Sequence, residues 1–185
     1  MKKLCLVVFA LFCLNVLTAG AAEKEKTRLH ATLVGIEETP TTIITKATGT
    51  FTATINDDST LTYTLTYKNL STPVQQAHIH VGATKITGGV AIFFCSNLGN
   101  GPAGTPACPN DATNSGSVTR TVSAADVIGP ASQGVTAGDF ADVVRAIASG
   151  VTYANVHTTS HPGGEIRGRI RQRGEDEDDE LPGAH

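Results

Sequence analysis

The sequence predicts an all-β domain: an antiparallel β-sandwich or Greek-key-like barrel with one or two short helices covering it. Three observations carry this. Apolar and polar residues alternate with a period of two from Leu29 onward, the alternating runs are rich in threonine, and turn-forming residues separate them. A threonine-rich face opposite an aliphatic and aromatic one describes antiparallel sheet with one wet side. Beyond a leader and a tail, roughly 145 residues remain, enough for one domain with a real core.

In chain order, Lys2 and Lys3 followed by the apolar run Leu4 to Leu17 and the small residues Ala19-Gly20-Ala21-Ala22 read as a signal peptide over 1–22. That run is too short for a good membrane anchor. Residues 23–27 are a short leader and 28–173 the domain, so the expectation is a secreted or periplasmic protein without a transmembrane segment. In the domain, Leu29, Ala31 and Leu33 alternate with His30, Thr32 and Val34. Thr48 to Ile55 and Leu61 to Tyr67 form the next alternating pair, joined by the hairpin turn Asn56-Asp57-Asp58-Ser59. Further strands are expected around His78, at Val90 to Phe94 and at Ser117 to Val122. Ser123-Ala124-Ala125-Asp126 has the pattern of a helix N-terminus. Phe140, Val143, Val144 and Ile147 share one helical stripe, with Asp139, Asp142 and Arg145 largely opposite, and Gly150 ends the segment. The last strands run from Val151 to Thr158 and from Glu165 to Ile170, around the turn His161-Pro162-Gly163-Gly164. After Arg173 the periodicity stops, and residues 174–185 read as a disordered acidic tail.

Charge argues against a nucleic-acid partner. Without Lys2 and Lys3 there are 12 basic against 17 acidic side chains, and six of the acids form the run Glu175 to Glu180. The rest is almost neutral, with no concentrated basic face. Once the signal segment leaves with Cys5 and Cys13, Cys95 and Cys108 remain around a Gly/Pro-rich loop. In an oxidising compartment they are expected to pair. Asn69-Leu70-Ser71 is a glycosylation sequon, relevant only in a eukaryotic secretory pathway.

Candidate chemistry concentrates in two stretches. Ala77-His78-Ile79-His80-Val81-Gly82 puts two imidazoles on one face of a strand, since residues two apart share a face. The later pair of strands puts Val151, Tyr153, Asn155 and His157 on one face, followed by Glu165, Arg167 and Arg169 on the return strand. His78, His80 and His157 are therefore candidate ligands for copper or zinc, with Glu165 or His161 as a fourth ligand or supporting partner. The same polar set, Glu38, His78, His80, His157, Glu165 and Arg167, equally suits a buried hydrogen-bonded network, in which Arg167 pairs with Glu165 or Glu38, or a site that recognises another ligand. No catalytic residue is assigned. There is no GxSxG elbow, and a dinuclear site like that of copper–zinc superoxide dismutase needs more histidines than the five in residues 23–173. A single copper centre with redox activity stays open as an extension of the metal reading.

The motifs AHIHVG and YANVHTTSHPGGEIRGRI, with the opening LVGIEETP that carries Glu38 and Pro40, resemble the CHRD domain, a module named from chordin and found in many bacterial secreted proteins. The resemblance runs from about Arg28 to Arg171. His161 stands where the pattern more often has Asn, and the insert between Cys95 and Cys108 departs from it. It implies extracellular protein interaction, and with no catalytic residue assigned the reading is a non-enzymatic binding or structural module with an extracellular protein or matrix partner.

Overall fold

A computed structural model describes residues 26–57 and 59–173. The segment 1–22 read as a signal peptide, the tail 174–185, Asp58 of the expected hairpin turn and all of the expected leader but its last two residues lie outside the described residues. The strands are β1 (Thr27–Val34), β2 (Thr48–Ile55), β3 (Leu61–Lys68), β4 (Val74–Val81), β5 (Gly89–Ser96), β6 (Gly116–Val122), β7 (Thr152–Thr158), β8 (Ile166–Arg169) and β9 (Arg171–Gln172). They form a single antiparallel sheet in the order β5-β4-β7-β8-β1-β2-β3-β6, with β9 also on β1. The two ends of this path nearly meet. The chain just after β6 bridges to β5 through Ile92 and Val127, and Ile128 N–H donates to Ala91 O at 3.0 Å. The all-β expectation holds, and of its two forms the barrel is the one adopted.

Alternation explains which residues fill the barrel. Gly49, Phe51 and Ala53 of β2 and Leu61, Tyr63, Leu65 and Tyr67 of β3 point inward. The outward threonines of β3 meet those of β6 as hydrogen-bonded pairs, Thr62–Thr121 and Thr64–Thr119, both at 2.9 Å. Cross-strand pairs of this kind each contribute a few tenths to about 1 kcal/mol. At the centre, Phe94 of β5 meets Tyr63 and Phe51 of the opposite wall, with ring centroids 4.7 and 5.1 Å away, and Tyr63 Oη donates to Phe94 O at 2.6 Å. Buried aromatics of this size stabilise by about 2–3 kcal/mol each.

The helix α1 (Phe140–Ala148) starts at Asp139, whose carboxylate accepts from the backbone N–H groups of Ala141 and Asp142. Phe140, Val143 and Ile147 are buried, as the stripe requires. Asp142 departs from expectation. It is buried rather than wet, because its carboxylate accepts from Thr136 N–H at 2.9 Å and pairs with Arg145. Ser123-Ala124-Ala125-Asp126 forms a capping box, but the helix it opens is one 3-10 turn, Ala124–Asp126.

Cys95 and Cys108 form a disulfide that closes the Gly/Pro-rich loop onto β5. A loop of this length gives about 3 kcal/mol in the chain-entropy model. Replacing both cysteines with alanine should therefore lower urea-measured stability by about 3 kcal/mol, and an unchanged midpoint would show the loop to be held by its hydrogen bonds alone.

Candidate metal centre

β4 and β7 are neighbours in the middle of the five-strand stretch that ends at β1, with His78 opposite Asn155, His80 opposite Tyr153 and Gln76 opposite His157. Ala77, Ile79, Ala154 and Val156 face the barrel interior, so His78, His80, Tyr153, Asn155 and His157 share the outer face. That face is not wet. Every residue of β7 is buried, and His78, His80 and His157 are 1%, 6% and 5% exposed. Register shifts between β4 and β5 fall just before His78 and just before His80, the kind of bulge that re-aims side chains.

Three loops cover the outer face, each with a backbone carbonyl or side chain on the cluster. From the β4–β5 loop, Gly88 O accepts from His80 Nδ1–H at 3.0 Å, while Gly88 N–H donates to Tyr153 Oη at 3.0 Å. Only glycine permits this approach, because a Cβ there would stand 1.7 Å from Val81 O. From the β7–β8 turn, Pro162 O accepts from His157 Nδ1–H at 3.0 Å. From the segment between β1 and β2, Glu38 Oε1 accepts from Asn155 Nδ2 at 2.6 Å, and Thr39 Oγ1 accepts from Arg167.

These bonds fix the proton positions. His80 and His157 carry their protons on Nδ1, leaving both Nε2 atoms as bare acceptors. His78 Nδ1 lies 3.1 Å from His157 Nε2 and must donate to it, so its own Nε2 is bare as well. His78 Nε2 and His80 Nε2 are buried and have no hydrogen-bond partner. One nitrogen from each ring lies within 4.8 Å of the others, and among the described residues no Cys, Asp or Glu joins this group. The 3.1 Å contact occupies the His157 Nε2 lone pair, so an ion bound there would take the place of that hydrogen bond.

Burial sets the electrostatics. It lowers the His78 pKa to about 2, helped by His157 and His80. It lowers His80 to about 4 against the opposing bond to Gly88, and His157 to about 4 against the bond to Pro162. All three rings are therefore neutral at pH 7, the form in which imidazole binds a metal. Burial also raises Glu38 to about 7, against the bond from Asn155 and the charge of Arg167.

Two expected partners lie elsewhere. Glu165 does not reach the histidines. Gly164 takes φ +129° and β8 begins only at Ile166, so the Glu165 carboxylate turns to Thr45, Ser71 and Thr158, which satisfy both oxygens. His161 shapes the turn through its backbone, accepting from Thr158 N–H and Gly164 N–H, and is not in the group. Arg167 pairs with neither Glu165 nor Glu38. It donates to Thr39 and Ile86 O and lies 4.1 Å over the Tyr153 ring, which stacks on His80 at 4.8 Å. Tyr153, Asn155, Phe93 and Gly88 were not among the expected site residues. Alternation already put Tyr153 and Asn155 on the face of His157, whereas no pattern marks Phe93 or Gly88.

No helix among the described residues is long and apolar enough to cross a membrane. No curated protein and no solved structure matches the sequence. Residues 29–170 do match a family model, and they span every site residue and the disulfide. This chain belongs to the CHRD domain family.

Proposed function

We propose that this CHRD domain is an exported binding module whose ligand is a single copper or zinc ion held by His78, His80 and His157. The observation that carries the reading is the pair of partnerless buried nitrogens, His78 Nε2 and His80 Nε2, in a group where backbone carbonyls orient the His80 and His157 rings. Buried polar atoms are nearly always paired, and a ligating histidine commonly donates its second N–H to a backbone carbonyl. The amino-terminal sequence and the disulfide support export.

The test is a melting series. Free metal at about 100 times its dissociation constant should stabilise the wild-type protein by about 2.7 kcal/mol and raise its melting temperature. His80→Ala should show no such rise. One observation favours a second reading: the 3.1 Å bond between His78 and His157 lets the group close on itself as a hydrogen-bonded network. In that case metal changes neither protein, and His80→Ala simply costs about 1–3 kcal/mol by leaving Gly88 O without its donor.

A further inference from the structure

We propose that the ion suited to this centre is monovalent copper, held by the three imidazoles without an anionic ligand or a bound water. The inference rests on the metal reading above and narrows it.

The donor set is the first argument. All three ligands are neutral, and the charges that might balance an ion are committed elsewhere. Glu38 is held by Asn155, Glu165 by Thr45, Ser71 and Thr158, and the cysteines by each other. A fixed positive charge also lies close by. The Arg167 guanidinium packs on Tyr153, whose other contact is the His80 ring. The cost of burying an ion grows with the square of its charge, and repulsion from Arg167 grows in proportion to it. A divalent ion is penalised on both counts, a monovalent one far less.

Coordination number is the second. Zinc almost always takes four ligands, a water completing the set where the protein supplies three. Here the edge of Phe93 meets His78 with centroids 4.3 Å apart, and Tyr153 lies flat on His80 at an interplanar angle of 6°. The group is almost wholly shielded from solvent, and among the described residues no carboxylate joins it. Monovalent copper, a soft closed-shell ion, is content with three nitrogen donors.

The experiment uses the full exported chain with its disulfide intact and ascorbate, not a thiol, as reductant. Monovalent copper is titrated against bicinchoninate, and zinc against a chromogenic zinc chelator. The expected result is one monovalent copper per chain, bound at least about 100-fold more tightly than zinc. The X-ray absorption spectrum of the wild-type complex should show three light neighbours with the outer-shell scattering of three imidazoles and no fourth neighbour, a readout that needs no variant. Zinc bound one per chain with equal or greater affinity overturns the choice of ion while the metal reading stands. A fourth neighbour, or fewer than three imidazoles, overturns the three-imidazole centre. Binding of neither ion overturns this inference and the reading beneath it together.

Discussion

Between pH 7 and pH 4.5 the metal-free protein should lose several kcal/mol of stability, most of it to the three buried histidines. In the unfolded chain each takes up a proton near pH 6.5. In the folded protein His80 and His157 wait until about 4 and His78 until about 2. Over that window the unfolded state binds more protons, so stability falls as pH falls. Each ring contributes about 2–3 kcal/mol by pH 4.5. Glu38 works in the opposite sense. Its folded pKa of about 7 lies above the ordinary 4.5, so the folded state holds the extra proton and gains about 3 kcal/mol across the same range. The histidines win by number, for a net loss of about 5 kcal/mol. Urea unfolding at half-unit pH steps measures this, and a flat profile from pH 7 to 4.5 would mean that the rings are not buried as neutral bases.

Gly88→Ala should damage stability and binding together. The added methyl would lie 1.7 Å from Val81 O and 2.5 Å from Val81 C, and neither backbone atom can swing aside. The loop must lift, withdrawing the acceptor from His80 Nδ1 and the donor from Tyr153 Oη. Crowding of this kind costs about 3 kcal/mol, and loss of the carbonyl that orients a ligand typically costs about 10–100-fold in metal affinity. Urea midpoints and metal titration read the two effects separately. Wild-type affinity in a destabilised Gly88→Ala protein would show that the carbonyl of Gly88 does not orient the ring.

What the sequence disclosed was what period two can carry. Phe51, Tyr63 and Leu65 announce an inner face, and His78, His80 and His157 announce a shared outer one. The second burial of that outer face was not legible. It depends on the loops bearing Thr39, Gly88 and Pro162, segments without periodicity that each contribute only one or two polar groups to the cluster. Glu165 was misjudged for a related reason. Alternation holds only inside a strand, and Gly164 breaks it one residue before the carboxylate, which three hydroxyls and a backbone N–H then capture. Asp142 follows the same logic on the helix, where the local acceptor need of Thr136 N–H outweighs the stripe.

The most direct test of the three-histidine centre is the metal content of the purified chain after extensive dialysis in chelator-free buffer, measured by mass spectrometry against protein concentration. The expected result is close to one equivalent of copper or zinc in the wild-type protein and none in His80→Ala. A wild-type protein that is folded, exposed to both metals and still carries neither would contradict it.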